Sequence, residues 1–451
     1  MISMSWSLQR ASRGEQPLWM GITLACMIGQ IGTAGGGFGF GYSAVNSTGD
    51  SFTKIPWKSL PQGQNNIKDF IPVARITDML EKPGETFDYD GQKLKYPDIK
   101  LVYWAGGNPF HHHQDLNRLV KAWQHPNTII VNEIWWNAQA RHADIIFPAN
   151  TALERNDLML NPRDPTIVAN KKSIDSFANS KSDYEIFSGL ANRLGFESTF
   201  TDNKNEMEWI EFLWEESKKI AKDFKINLPN FKKFWANGFY EVPCPDKKKI
   251  MFENFRNDPE NFPLKTPSGK IEISSDTIES FQLKDCLSHP SWFEPYEWLG
   301  KINKYTLHLI SNQPTHRLHG QLDNASDSRK SKIKDREPVL INSSDANKRS
   351  IQDDDIVMLY NDRGKVLAGA ILSEDVMPGV VVLSTGAWFD PNYTLNTEVH
   401  GNPNVLTNDV GTSSLGQGPT SHTTLIEIKK ASKEEIADVM IFNSLSFKEN
   451  T

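Results

Sequence analysis

The sequence predicts a mixed fold of class α/β plus β: a partial parallel sheet with helices, followed by a C-terminal β-barrel. Three observations predict it. Between Asp98 and Phe147, three short apolar runs alternate with two helical patterns at close spacing, the pattern of a parallel sheet with right-handed crossovers. From Tyr305 onward, short strand-like runs follow one another, separated by glycines, Asp-Asp pairs and prolines, as in a closed β-domain. Between these regions, Asp183–Leu194 and Glu206–Asp223 carry aromatic and aliphatic residues at three- and four-residue spacing, which reads as core-packing helix. The boundaries expected are 1–180 for the α/β region, 181–300 for a helical and mixed connection, 301–430 for the barrel and 431–451 for a Lys/Glu-rich tail read as a loosely held helix.

In chain order, Ser5–Gly14 is polar and cationic, and Glu15-Gln16-Pro17 starts a helix with proline near its first turn. Leu18, Ile22, Ala25, Cys26 and Ile28 fit a buried helix ending at Gly29. Gly35–Gly39 then turns, either to admit a close backbone approach or as a plain flexible loop. A loop-rich stretch from Ser43 to Asp98 contains one short helix, Ile71–Leu80. The Rossmann-like part follows: strand Asp98–Ala105, helix Asp115–His125, strand Thr128–Asn132, helix Trp136–His142 and strand Asp144–Phe147. Ligands of such sheets sit at the carboxyl ends of the strands. That rule places Gly106–His113, Asn132-Glu133 and Pro148–Asp157 on one edge. Lys265–Ile273 reads as a tight turn followed by a strand. The barrel strands expected are Tyr305–Ile310, Pro338–Ile341, Ile356–Tyr360, Lys365–Leu372, Val380–Ser384 and Thr423–Ile428.

Composition narrows the function. The chain has 451 residues, 38% hydrophobic and 10% aromatic, enough for a large globular core. A net charge of -7 argues against nucleic acid, which needs a basic face. Cys26, Cys244 and Cys286 are far apart with no CxxC pair, so neither a zinc nor an iron–sulfur site is written here. The apolar part of Pro17–Gly41 falls short of the ~20 residues a membrane span needs. No GxSxG, P-loop, HExxH or post-strand GxGxxG is present.

The chemistry concentrates in a few loops. The turn Gly106-Gly107-Asn108-Pro109 leads into His111-His112-His113. Three adjacent histidines cannot converge on one metal, whereas imidazole N–H groups and a helix start both suit an anion. Asn132-Glu133 offers a carboxylate at a strand end, where nucleotide folds hold ribose or purine. His142-Ala143-Asp144 and Glu154–Asp157 read as a cap and an ion-paired turn. Ser311–Asn324 is dense in donors, and His400–His422 is long for a loop in a compact domain.

Taken together and in order, SWSLQR…GEQPLWM, GQIG…GGGFGFGYS, GGNPFHHHQDLNRL, ARHADIIFPA…ERND, TPSGKIEI, LISNQPTHRLHGQLDN and GNPNVLT resemble the molybdopterin oxidoreductases of the dimethyl sulfoxide reductase family. Within it, the trimethylamine-N-oxide, dimethyl sulfoxide and biotin sulfoxide reductases are most similar, and the likeness runs from Ser5 to about Lys430. The resemblance implies a double-psi barrel and a bis(molybdopterin guanine dinucleotide) cofactor whose molybdenum cycles between Mo(IV) and Mo(VI), taking oxygen from an S-oxide or N-oxide. It implies an electron donor such as a cytochrome or small redox protein, in the periplasm or, alternatively, the cytoplasm. Carried over, Trp6, Ser7 and Arg10 match the SWxxQR cofactor contacts, with Arg10 on a phosphate. Asn108 and His112 match the GGNP turn, and Glu133 or its neighbour Asn132 the acidic residue near guanine. Ser311, Gln313 and His319 match the barrel loop against the pterins, and Asn404, Ser421 and His422 the C-terminal pterin contacts. Relatives often have histidine at Gln313.

One departure carries weight. Family members are longer and have an N-terminal part supplying the serine that ligates molybdenum, aromatics over the substrate and half of the dinucleotide scaffold. The expectation is therefore a C-terminal portion that contributes no catalytic residue and no metal ligand, inactive alone and complemented by the missing half. Alternatives are a non-catalytic cofactor-binding fragment, a formate dehydrogenase or nitrate reductase type, and a generic nicotinamide enzyme.

Overall fold

The computed structural model describes residues 1–41, 53–160, 164–244, 250–301 and 304–443; Tyr42 and Ser43 of the GYS motif and the tail beyond Asn443 lie outside them. The N-terminal strand β1 (Ile2–Met4) pairs in parallel with β2 (Phe38–Phe40), with helix α1 (Glu15–Ile28) between them. α1 stops where Gly29 takes φ 73° and donates to the Cys26 carbonyl, a left-handed cap. It is not the buried helix its sequence suggested. Only Gln16 and Ala25 are buried, while Met20, Leu24, Met27 and Ile28 are exposed, Met27 by 77%. The helix is apolar on more than one side, and one side alone finds cover among the described residues.

Helix α2 (Ile76–Glu81) precedes a hairpin, β3 (Thr86–Tyr89) and β4 (Gln92–Lys95). Its turn residues Asp90 and Gly91 both have positive φ, 47° and 73°, as a two-residue hairpin turn requires. The central sheet is β5 (Leu101–Ala105), β6 (Thr128–Glu133) and β7 (Ile145–Pro148), all parallel, with β6 in the middle. Helices α3 (Pro109–His112), α4 (Leu116–Ala122) and α5 (Ala138–Arg141) make the crossovers. Register aligns Ala105 with Asn132 and Asn132 with Phe147, so the carboxyl ends of the three strands lie side by side.

Strands β8 (Asp157–Met159) and β9 (Thr166–Asn170) follow, then α6 (Asp183–Arg193), α7 (Glu197–Thr201), α8 (Glu206–Asp223), α9 (Phe231–Asn237) and β10 (Phe239–Glu241). β8, β9 and β10 form an antiparallel sheet over a core in which Trp214 stacks on Phe234 at 3.6 Å. The strand expected in Lys265–Ile273 is absent. Leu264 N–H donates to Gly269 and Gly269 N–H to Thr266, so the segment closes on itself and pairs with no described strand.

The barrel consists of β11 (Leu307–Ile310), β12 (Pro338–Ile341), β13 (Ile356–Tyr360), β14 (Lys365–Leu372), β15 (Val380–Leu383) and, past the short pair β16 (Pro391–Asn392) and β17 (Thr397–Glu398), β18 (Leu425–Lys430). Pairing runs β12-β15-β11-β18-β13-β14, and β14 pairs back onto β12. Six strands thus close, which removes the open edges a flat sheet leaves. One continuous core joins the two parts: Phe110, Leu116, Leu119 and Val131 pack with Leu309, Val339, Leu359 and Val366, all fully buried. Among the described residues of the tail, the expected helix is one turn, Lys433–Glu435. Beyond it the chain is drawn out by Asp390, whose Oδ2 accepts the N–H groups of Met440 and Ile441.

Candidate functional site

At the end of β5, Gly106 and Gly107 take φ 79° and 78°, a conformation favouring glycine. Asn108 then caps α3, its Oδ1 accepting Phe110 N–H at 2.9 Å, with Pro109 as the first helical residue. Of the donors expected to meet an anion here, the backbone contributes less than the helix start suggested: α3 is a single turn, and the N–H groups of Phe110 and His111 are already engaged by Asn108. The histidine rings diverge. His111 stacks against Trp388, His112 meets His319 edge-on at 4.8 Å, and His113 is buried separately. Among the described residues, no group of three or more His, Cys, Asp or Glu side chains could hold a metal ion.

A cavity of about 580 Å³ opens between α3 and the barrel. Trp6, Ser7, Arg10, His112, Ser311, Gln313, His319, Asn404, Ser421 and His422 line it. The residues carried over from the family motifs are therefore gathered there, except Asn108 and Glu133 with its neighbour Asn132, which line the second cavity. The two ends of the chain meet to build it: Ser12 N–H donates to Thr423 Oγ1 at 2.8 Å, and His422 N–H to the Arg10 carbonyl at 2.9 Å. The lining also includes His111 of the histidine triplet, and Gln9, Gln114, Asn312 and Thr385, which sequence reasoning did not select. Gln9 and Gln114 lie inside motifs already noted, whereas Thr385 follows a barrel strand with no distinguishing pattern. Asn404 has little capacity left for a ligand. Its Nδ2 donates to the His111 carbonyl at 3.0 Å and its Oδ1 accepts from Thr407.

Among the described residues, no carboxylate lines this cavity. Arg10 has no carboxylate partner among them either, and burial lowers its pKa. Burial, then His319 and Arg10, push His112 down to about 4. Burial, then Arg10 and His308, do the same to His422. Gln114 Oε1 and His422 Nδ1 are buried without a hydrogen-bond partner among the described residues, which is unfavourable unless a ligand or water answers them. A surplus of donors and positive charge with unanswered polar atoms fits a polar, anionic ligand.

A second cavity of about 400 Å³ lies at the carboxyl edge of the sheet and shares His111, His112 and His319 with the first. Asn108, Glu133, Trp135, Asn137, Arg155 and Asp183 line it. Asn132 is engaged at both ends of its amide, accepting from Tyr103 and donating to Asp183. Glu133 accepts Ile134 N–H at 2.8 Å, and burial raises its carboxyl pKa. Thr151 and Glu154 close a capping box, while Arg155 lies 3.5 Å from Asp157. His142, its Nδ1 donating to the Ala138 carbonyl, stacks on Phe110.

Behind the first cavity lies a buried ionic network. Lys332 Nζ sits 2.8 Å from Asp323 and 2.9 Å from Glu337, and Arg317 lies 3.0 Å from Glu337 and 3.4 Å from Asp323. All four side chains are at most 1% exposed. Arg317 also donates to the His319 and Thr385 carbonyls, and Asp323 accepts from Ser328 and from Trp388 N–H. The network therefore fastens the loop bearing His319 to the barrel rim.

These environments set a pH dependence. Burial lowers His111 to about 3 and His113 to about 4, from 6.5. Folded rings stay neutral where unfolded ones protonate, so their contribution is complete above about pH 6.5 and is lost as pH falls toward 4. The ligand-free chain is expected to unfold at lower temperature at about pH 5 than at about pH 7, and added inorganic pyrophosphate to reduce that difference. Thermal unfolding at the two values checks this; an unfolding temperature independent of pH would contradict it.

Comparison with known proteins matches this geometry. Residues 1–193 match the family described as molybdopterin oxidoreductase, and residues 307–425 that described as molydopterin dinucleotide binding domain. The chain is 46% identical over 431 residues to a biotin sulfoxide reductase of Cereibacter sphaeroides, covering 95% of this chain and 58% of that protein. It is 43% identical to a trimethylamine-N-oxide reductase of Haemophilus influenzae, covering 95% of this chain and 55% of that one. It is 42% identical to a dimethyl sulfoxide/trimethylamine N-oxide reductase of Rhodobacter capsulatus, covering 95% and 54%. With shares of 58%, 55% and 54%, the chain spans about half the length of these curated relatives. The acetylene hydratase from Pelobacter acetylenicus shares the fold, with a TM-score of 0.59 at 16% identity over 79% of this chain and 46% of that one.

Proposed function

The chain belongs to the molybdopterin oxidoreductases of the dimethyl sulfoxide reductase family, and we propose on that premise that it holds the cofactor of an S-oxide or N-oxide reductase. The observation that carries the proposal is the cavity of Arg10, His112, His319 and His422, lined by no carboxylate among the described residues and bordering, across shared histidines, the cavity at the sheet edge. Two adjoining cavities suit an elongated ligand with a polar anionic middle. The donor-rich cavity takes the pterin end, and Glu133, beside Trp135 and Asn137, takes the base. A carboxylate there favours the guanine form, because guanine presents N–H donors to it. Two such dinucleotides per molybdenum are the form proposed.

When bound, the molybdenum–pterin group supplies two-electron oxygen-atom transfer. The residues of this chain bind and orient it. Arg10 neutralises phosphate, His112 and His319 donate along the middle, and Ser311 and Ser421 offer neutral hydroxyls at the barrel side. The tether from Asn404 to the His111 carbonyl holds the barrel loop against the turn after β5, so both walls keep one spacing.

The substrates proposed are dimethyl sulfoxide, trimethylamine N-oxide or biotin sulfoxide, with a cytochrome or small redox protein as donor in the periplasm during anaerobic respiration. The part of the relatives that this chain does not cover would supply the molybdenum ligand. It would cover the exposed Met20, Leu24, Met27 and Ile28 beside β1 and β2, which pair only with each other among the described residues. The test is expression in a host that makes the cofactor, followed by molybdenum and pterin analysis of the purified chain and N-oxide reduction with an artificial electron donor. Pterin released on denaturation, with two per molybdenum where metal is retained, and turnover only when the equivalent of the uncovered part of the relatives is present, are expected. Absence of pterin would overturn the cofactor reading, and full turnover by residues 1–451 alone would overturn the need for that part.

A further inference from the structure

Gln313 and His319 make two contacts with each other, and together these fix a proton. The Gln313 amide places Oε1 3.2 Å from the backbone N of His319 and Nε2 2.9 Å from ring Nδ1. A backbone N–H can only donate, so the amide oxygen must face it; reversing the amide would set donor against donor. The amide NH₂ then faces Nδ1. Since NH₂ can only donate, Nδ1 must carry its lone pair, and the single proton of a neutral imidazole sits on Nε2.

The ring cannot readily escape this arrangement. His319 has φ 52°, and its carbonyl accepts from Arg317 Nε at 3.2 Å. Gly386 packs so closely that a methyl there would lie 2.0 Å from that carbonyl oxygen. Burial and the nearby Arg10 charge hold the imidazole neutral by lowering its pKa. Its ring borders both cavities and meets His112 edge-on, and Nε2 has no hydrogen-bond partner among the described residues.

We propose that Gln313 is a positioning residue that locks His319 as an Nε2–H donor, so that the ligand group meeting it is a hydrogen-bond acceptor. The second half rests on the cofactor reading above; the tautomer does not. Two parts of that cofactor offer such acceptors, phosphate oxygens and pterin carbonyl or ring nitrogen atoms. A histidine at position 313 could present a donor or an acceptor, and would leave the proton of His319 free to move. The amide fixes one direction.

Histidine-labelled, cofactor-free chain at about pH 8 provides the test by nitrogen NMR, with His319 assigned by its loss in His319→Gln. The expected spectrum shows a protonated Nε2 and a bare Nδ1. In Gln313→Glu the carboxylate faces Nδ1 as an acceptor, so a proton is expected on Nδ1, with the titration midpoint of His319 raised despite Arg10 and His112 facing the ring. A bare Nε2 in the unsubstituted chain, or an unaltered Nδ1 in Gln313→Glu, overturns the lock. A response of Nε2 to inorganic pyrophosphate assigns the acceptor to phosphate, and a response only on cofactor loading assigns it to the pterin. No response to either overturns the acceptor. His319→Phe removes the donor without adding charge and should lower retained pterin roughly 10-fold, one hydrogen bond's share of affinity. A chain with the expected tautomer but no pterin would sink the cofactor reading and leave the lock standing.

Discussion

Replacing Arg10 by glutamine is expected to lower pterin cofactor retained per chain by about 10- to 100-fold, the equivalent of one charge-assisted hydrogen bond in a partly buried site. Among the described residues, Arg10 is the only Arg or Lys lining the larger cavity, and it faces no carboxylate there. Its guanidinium is desolvated without compensation until an anion arrives. Removing it therefore takes away attraction for the ligand while sparing the fold, because its backbone carbonyl, which receives His422 N–H, stays in place. Arg10→Gln should leave the unfolding temperature of the ligand-free chain unchanged or slightly raised. Pterin fluorescence released from equal amounts of the two proteins is the measurement. Equal retention would show that the histidines alone hold the ligand.

The largest effect on stability is expected at Asp323, which lines neither cavity and sits in the ionic network behind the first. Asp323→Ala should destabilise the folded chain by about 3–5 kcal/mol, because breaking a buried ion pair leaves uncompensated charge in a dry interior. Lys332 and Arg317 would then share Glu337 alone, and Trp388 N–H and Ser328 would lose their acceptor. Pairing Asp323→Ala with Lys332→Met should recover a large part of the loss, since the double change removes one charge of each sign. Denaturant unfolding of the three chains checks this. A loss below about 1 kcal/mol for Asp323→Ala would mean that water reaches the network.

Much of this was legible in the sequence, and the reasons for the rest are physical. The runs LVYWA, TIIVN and DIIF are short and near-continuously apolar, as buried parallel strands are; they fall on β5, β6 and β7, of which the central β6 is the most buried, while Leu101 and Ile145 on the flanking strands are exposed. The barrel strands were legible for the same reason. The β3–β4 hairpin was missed inside a stretch read as loop-rich, because its short strands are half polar and only the Asp90-Gly91 pair signals a turn. α1 misled because apolar content measures what could be buried, whereas burial also needs a neighbour. KIEI misled in the same way, since strand propensity is realised only through a pairing partner. In the site, motif order located the cavity lining from Trp6 to His422, but not which side chains are already engaged. Asn404 and Asn108 are committed to backbone groups, and that follows from distances no spacing rule supplies. The ionic network was invisible, because Lys332 and Glu337 stand in a stretch that reads as solvated loop.

The hydrogen bond from Ser12 N–H to Thr423 Oγ1 closes a gap of 411 residues. On a ribosome adding about 5–20 residues per second, the second partner emerges roughly 20–80 s after the first. Arg10 therefore waits until His422 and Thr423 emerge for the wall that completes its cavity. Capture by the complete cavity cannot precede that emergence, so a chain stalled before Thr423 presents an open N-terminal segment.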